Sequence, residues 1–136
     1  MKNLLMAMVV LVLVAGCAIT SVSTVELNGT SWMLTRLGDA PLVSDTEVTL
    51  YFEDDALGGN ASCNTYGGSY TVDGAQISMS EVFSTMMYCY PEELMEQEMA
   101  YLAALEAAAT FQVKDNVLCL MDADGSVLAE FTAIES

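Results

Sequence analysis

The residue whose position most directly implies chemistry is Cys17, which ends the sequence Leu13-Val14-Ala15-Gly16-Cys17. This pattern is typical of a lipobox, in which small residues let a signal peptidase approach the backbone and the cysteine thiol accepts a diacylglycerol. The preceding apolar run, Leu4 to Ala15, is shorter than the roughly 20 residues that a helix needs to span a bilayer. It therefore favours a cleaved secretory leader, and the alternative is an ordinary signal peptide followed by an incidental cysteine.

These features divide the chain into three parts. We expect residues 1–16 to be a lipoprotein signal peptide, and residues 17–25, which are uncharged and rich in Ser and Thr, to be a lipidated tether. Residues 26–136 are long enough to bury a single core and form one domain. The sequence thus predicts an exported protein held on a membrane through lipid on Cys17, at the outer membrane of a Gram-negative cell and at the cell surface otherwise.

The charge balance is strongly acidic, with 19 Asp and Glu against three Lys and Arg and a formal net charge of −16. Such a surface repels nucleic acid and anionic lipid headgroups, so we expect no nucleic-acid partner. The acidic residues are scattered rather than clustered. That distribution favours adaptation to concentrated salt over the recruitment of cations or of a basic partner.

Catalytic chemistry has few candidate residues in this chain. The sequence contains no histidine, which excludes His-based triads, His general bases and His metal ligands. The acids Asp54 and Asp55 could serve a hydrolase, but adjacent residues alternate faces on a strand and this pair is more typical of a turn. Residues 122–125 lack EF-hand spacing and also predict a turn. We therefore expect a protein that is not an enzyme and that holds no cofactor or metal.

Alternating apolar residues predict the sheet that positions these groups. The strand candidates are residues 30–37, 47–53, 68–72, 76–79, 117–121 and 126–131. A hairpin is predicted at Asp73-Gly74, and a helix at about residues 91–109 with Pro91 as its first residue. The apolar stripe of this helix, expected to pack on the sheet, comprises Leu94, Met95, Met99, Leu102, Leu105 and Ala109. The order of elements indicates an α+β fold, with a mostly antiparallel sheet packed against one helix.

Two longer motifs carry a resemblance to a known family. The first is Cys63-Asn64-Thr65-Tyr66-Gly67-Gly68-Ser69-Tyr70, and the second is Thr85-Met86-Met87-Tyr88-Cys89. Leu27-Asn28-Gly29-Thr30-Ser31-Trp32-Met33-Leu34 lies upstream, and Glu98, Tyr101 and Leu105 follow on the predicted helix. Together, over about residues 26–132, they resemble the META domain, the HslJ-like family of small extracytoplasmic proteins. The matching motif positions are Trp32, Asn64, Tyr66, Gly68, Tyr70, Thr85 and Met87.

The resemblance implies a compact sheet crossed by one helix, with a partly open barrel as one form of that sheet. Family members are linked to heat shock, antibiotic tolerance and secretion, which supplies no established enzyme activity, and their shape is similar to that of secretin pilot lipoproteins. Export, together with one cysteine in each motif, leads to the hypothesis of a disulfide between Cys63 and Cys89. It would close a loop of about 26 residues.

Two functions are compatible with these observations. The leading hypothesis is a monomeric, stress-linked envelope lipoprotein that is not an enzyme and that binds an envelope protein partner or supports envelope integrity. The alternative is a carrier of a small apolar or acyl ligand. A large apolar cavity beneath the helix would favour the carrier, and a solid core would count against it.

Overall fold

The computed structural model describes residues 25–135. The predicted signal peptide and the lipidation site Cys17 lie outside the described residues, as does the predicted tether apart from Val25. Lipidation and the boundaries of these two segments therefore stay predictions. Within residues 25–135, no helix has the length and apolar composition that crossing a membrane requires.

The described chain forms eight antiparallel strands and one helix, which confirms the α+β class. Their bounds are β1 Thr30–Leu37, β2 Thr49–Glu53, β3 Ala56–Asn60, β4 Thr65–Asp73, β5 Gln76–Ser84, α1 Glu93–Ala107, β6 Thr110–Lys114, β7 Val117–Met121 and β8 Val127–Ala133. Each strand pairs with the next, and β8 pairs back with β1, so the ring of pairings closes. The shortest strand pairing in the ring is between β5 and β6, where only Gln76 and Thr110 are paired.

The interior of this ring is filled by large apolar side chains. In β2, Leu50 and Phe52 are buried while Tyr51 and Glu53 between and beside them are exposed, as strand alternation requires. The most deeply buried apolar residues also include Leu57, Tyr101, Leu105, Leu118, Leu120 and Phe131. These side chains form one contiguous core inside the sheet.

Strand β3 was not predicted, because the sequence alone indicated tight bends or bulges at Gly58 and Gly59. The structure shows that the glycines permit close packing within the sheet. A Cβ on Gly58 would lie 2.6 Å from the hydroxyl oxygen of Tyr51, and one on Gly59, whose φ is +153°, would overlap the carbonyl of Thr49. Glycine is therefore required at Gly58 by the neighbouring Tyr51 side chain and at Gly59 by the neighbouring Thr49 backbone.

The tight turns use acidic and amide residues in the left-handed region. Asp54 and Asp55, with φ of 48° and 66°, connect β2 to β3, and Asp115 and Asn116, with φ of 51° and 63°, connect β6 to β7. Two consecutive positive φ angles match the twist of an antiparallel hairpin. The expectation that Asp54 and Asp55 form a turn is therefore confirmed.

Helix α1 differs from the prediction in its bounds and in its buried face. It runs from Glu93 to Ala107 rather than over residues 91–109. Pro91 lies two residues before Glu93, where the helix begins, so Pro91 is not the first helical residue. Its carbonyl accepts a hydrogen bond from the Leu94 amide at 3.0 Å. The buried residues of the helix are Gln97, Glu98, Tyr101, Ala104 and Leu105, whereas Met99 of the predicted stripe is 66% exposed. The stripe prediction is confirmed for Leu105 in the core and Leu102 packed against it, and wrong for Met99. The buried face also includes Gln97 and Glu98, which bind loops of the sheet.

Candidate functional site

A buried polar cluster is centred on Asn64, which lies between β3 and β4 and is 2% exposed. Its side-chain amide nitrogen donates to Glu98 Oε2 at 2.7 Å and to the Met87 carbonyl at 3.1 Å. Its side-chain oxygen accepts from the Met87 amide at 2.7 Å and from the Thr85 hydroxyl at 2.9 Å. One side chain thus joins the β3–β4 loop, the segment after β5 and helix α1.

Glu98 supplies the negative charge of this cluster and is 4% exposed. Its Oε1 accepts from the backbone amides of Asn64 at 2.6 Å and of Cys63 at 3.2 Å, and its Oε2 accepts from the Asn64 side chain. Three donors thus satisfy a carboxylate that burial would otherwise penalise. Its geometry holds a loop in place and presents no lone pair to an open site. The sequence signal for this role was an acid at helical spacing from the apolar residues Leu94, Tyr101 and Leu105.

The neighbouring helical residue Gln97 fastens a different loop. Its Oε1 accepts from the Val43 amide at 2.7 Å, and its Nε2 donates to the hydroxyls of Thr46 at 3.1 Å and Ser62 at 3.3 Å. Among residues 25–135, no buried side-chain nitrogen or oxygen lacks a hydrogen-bond partner. The polar residues of α1 therefore organise two loops of the sheet on adjacent faces of the helix.

The predicted disulfide between Cys63 and Cys89 is present in the structure, with its Cα atoms 5.9 Å apart. The Cys63 amide donates to Glu98, and the Cys89 amide lies 3.4 Å from the sulfur of Met95. The disulfide consequently flanks the polar cluster and attaches the segment after β5 to the β3–β4 loop a second time.

A tyrosine pair lies in the core beside this cluster. The Tyr66 hydroxyl donates to the Thr49 carbonyl at 2.7 Å and lies 2.6 Å from the Tyr101 hydroxyl. The two rings meet edge to face with centroids 5.5 Å apart. Burial raises the pKa of both phenols above its ordinary value, because the charged phenolate is poorly solvated in the core.

These raised pKa values predict a loss of stability in alkali. A phenol that stays protonated in the folded chain contributes stability below pH 10, and unfolding releases its proton above that pH. We expect the free energy of unfolding to fall by about 1.4 kcal/mol per pH unit for each tyrosine between about pH 10 and 12. Urea unfolding at several pH values would measure this slope, and Tyr101→Phe should remove one tyrosine's share. A free energy that stays constant over this range would contradict the assignment.

The remaining motif positions are packed into the sheet. Trp32 is 3% exposed and its indole nitrogen donates to the Thr30 hydroxyl at 2.8 Å. The Tyr70 ring meets the Phe52 ring edge to face at 4.8 Å. A Cβ on Gly68 would lie 3.0 Å from the Ser80 carbonyl, which explains a small residue there. These motif positions therefore stabilise the fold, because their contacts are with other residues of the sheet.

Part of the chain from Phe83 to Tyr90, which contains the second motif, departs from that rule, because its side chains face solvent. We call this part the apolar segment and define it by Phe83, Met86, Met87, Tyr88 and Tyr90, which are 68%, 97%, 58%, 59% and 80% exposed. Sequence reasoning assigned no surface role to these residues, because a run of Met and Tyr has the same composition as a core strand. Their exposure makes this segment the candidate binding surface.

The backbone of the apolar segment is fixed although its side chains are exposed. The Met87 amide and carbonyl both bind Asn64, and Cys89 is held by the disulfide. The Thr85 amide also donates to the Thr65 carbonyl at 3.0 Å. The Tyr88 and Tyr90 rings pack edge to face with centroids 5.1 Å apart. The apolar segment thus presents a preformed apolar surface.

No group of three or more His, Cys, Asp or Glu in residues 25–135 is placed to hold a metal ion. In the Asn64–Glu98 cluster, the side-chain donors and acceptors are paired with each other and with nearby backbone groups. What the arrangement provides is a rigid support for surface side chains.

Comparison with known proteins agrees with this architecture. A solution structure of a protein from Burkholderia xenovorans is similar, with a TM-score of 0.68 and 24% identity, covering 81% of this chain and 85% of that one. A crystal structure of a duf4847 family protein from Bacteroides vulgatus has a TM-score of 0.57 and 15% identity, covering 81% and 96% of the two chains. These likenesses show the fold.

Sequence comparison gives the family directly. No curated protein matches the chain significantly. The family model described as META domain matches residues 25–135, which is nearly all of the chain beyond the predicted leader and tether. The chain therefore belongs to the META domain family.

Proposed function

We propose that this protein is an exported, lipid-anchored envelope protein that is not an enzyme and that binds another envelope protein through the apolar segment. The observation that carries the proposal is the exposure of five large apolar side chains on a backbone fixed by Asn64 and by the Cys63–Cys89 disulfide. Anchoring through Cys17 rests on the lipobox. The stress-linked role rests on the family resemblance.

The composition of the apolar segment suits a protein partner. Tyr, Phe and Met are enriched in protein interfaces, and Met side chains adapt to irregular surfaces. Because the backbone is already ordered, binding need not order it, and less free energy is lost on association. A monomer with this surface can therefore bind a protein partner without first ordering its own backbone.

A membrane is a poorer occupant of the same surface. The exposed acids Glu81, Glu92 and Glu93 flank the apolar segment in sequence, and the chain as a whole is strongly acidic. Anionic headgroups would be repelled by these carboxylates. A protein surface that combines apolar and basic residues avoids this repulsion.

The filled interior favours partner binding over the carriage of a small apolar ligand. Leu50, Phe52, Leu57, Leu118 and Phe131 occupy the inside of the sheet with at most 2% exposure. A ligand within the ring would have to displace them, at a cost of about 1.5–3 kcal/mol for each large side chain moved to solvent. Partner binding requires no such rearrangement.

Site-specific cross-linking in the native membrane tests the proposal. A photo-reactive phenylalanine analogue replaces Met86, and the matched control places it at Asp124, an exposed position in the β7–β8 turn. We expect one defined protein adduct from position 86 and none of that mass from position 124. The double change Tyr88→Ser and Tyr90→Ser should reduce the adduct about tenfold or more, since aromatic anchors dominate interface energies. Adducts only with lipid, or identical adducts from both positions, would contradict the proposal.

A further inference from the structure

A second open surface is the groove between residues 40–46 and the start of helix α1, and none of the residues that define the apolar segment lines it. The groove has a volume of about 1020 Å³, near the upper end of the range for ligand pockets. Its larger apolar lining residues include Leu37, Leu42, Val43 and Leu94.

The groove is held open by contacts within this chain. Gln97 at its base accepts from the Val43 amide and donates to the hydroxyls of Thr46 and Ser62. The Thr46 hydroxyl donates in turn to the Val43 carbonyl at 2.6 Å. Because the loop and the helix are joined through these bonds, the groove exists before any occupant arrives.

Acidic side chains from two separate elements line the same groove. Glu93 and Glu96 belong to helix α1, and Asp45 belongs to the loop opposite. Glu93 and Glu96 also favour the helix N-terminus through its dipole, but that effect does not account for Asp45. The two ion pairs found within the described residues both use Arg36, with Asp39 and with Glu130. The lining carboxylates are thus left for a cation that comes from outside.

We propose that this groove binds a short segment of the partner protein that carries both apolar and cationic side chains. An apolar side chain of the segment packs on Leu42 and Leu94, and a neighbouring Lys or Arg pairs with Asp45, Glu93 or Glu96. This inference rests on the proposed function, because it assigns the segment to the protein partner. A fatty acid fits the groove less well, since its carboxylate would meet the three acids.

A labelled model peptide tests the inference on the full lipoprotein. The protein is placed in phosphatidylcholine nanodiscs and titrated against a fluorescent ten-residue peptide of alternating Lys and Leu, with Glu–Leu and Ser–Leu peptides for comparison. We expect the Lys–Leu peptide to bind most tightly. The change Glu93→Gln with Glu96→Gln should weaken it about five- to tenfold, from the loss of two ion pairs. The matched change Glu53→Gln with Glu106→Gln, at exposed acids outside the groove, should change the affinity less than about twofold.

Two further variants keep the test decisive. Asp45→Asn removes a lining charge outside the helix, so its weakening of binding cannot be attributed to a less stable α1. Tyr88→Ser with Tyr90→Ser should leave peptide binding unchanged, which separates the groove from the apolar segment. Equal weakening by the control pair, loss of binding on changing Tyr88 and Tyr90, or no binding beyond empty nanodiscs would each overturn the inference. In those cases the cross-linking experiment at position 86 would still test the proposed function independently.

Discussion

Replacing Asn64 by Ala is expected to lower the free energy of unfolding by about 2–5 kcal/mol, because several groups lose their hydrogen-bond partner and each unsatisfied buried group costs about 1–3 kcal/mol. The side chain makes four hydrogen bonds to Glu98, Met87 and Thr85. Its loss leaves the buried Glu98 Oε2 without its donor and the partly buried Met87 amide without its acceptor. An unsatisfied buried group costs more than the bond itself was worth, because water cannot replace the missing partner.

Urea unfolding followed by circular dichroism would measure this change, with Asn28→Ala as the matched control. Asn28 is exposed and its side-chain oxygen accepts one bond, from the Asp54 amide at 3.0 Å. Its replacement should cost about 1 kcal/mol or less. If both variants lost the same stability, the central position of Asn64 in the fold would be wrong.

Removing the Cys63–Cys89 disulfide is expected to lower the free energy of unfolding by about 3.5 kcal/mol. The two cysteines are 26 residues apart in sequence, and the crosslink limits the conformations of the unfolded chain over that loop. Cys63→Ala, Cys89→Ala and the double variant should be destabilised by similar amounts, because each one breaks the same bond.

Urea unfolding without reductant would compare the three variants with the parent chain. The variants should also lose cross-linking from position 86, since Cys89 holds the apolar segment next to Met87. Stability within about 1 kcal/mol of the parent chain, or a double variant that loses the sum of the two single losses, would show that the disulfide does not act as described.

Regular alternation and turn chemistry made part of the fold predictable from sequence. Strand β1 was predicted at its observed bounds, and the Asp73-Gly74 turn was predicted between β4 and β5. Both signals are local, because alternation and turn residues lie within a few positions of each other. Strand β3 was missed because glycines interrupt its alternation. Strand β6 was also missed, although it is as long as β2 and β7 and its Phe111 and Val113 alternate with polar residues.

The candidate site was less predictable because its contacts join distant parts of the chain. The bond from Asn64 to Glu98 spans 34 residues, and those from Asn64 to Met87 span 23. The motif resemblance indicated which residues matter, and it led to the correct disulfide. It did not indicate that Asn64 and Glu98 form a structural cluster. Exposure of Met86 and Tyr90 depends on where the segment leaves the sheet, which composition does not specify.

The structure separates residues that build the fold from residues that are available for binding. Asn64, Glu98 and the disulfide lie beneath the surface and fix the backbone. Tyr88 and Tyr90 lie on that support with most of their surface exposed. Changes to the two groups should therefore have different consequences.

The most direct test measures stability and partner cross-linking together in the Tyr88→Ser, Tyr90→Ser variant. Because both rings are exposed, the free energy of unfolding should stay within about 1 kcal/mol of the parent chain. The adduct from position 86 should nevertheless fall about tenfold or more. An adduct that persists at its full level in a stably folded variant would contradict the claim that this protein binds its partner through the apolar segment.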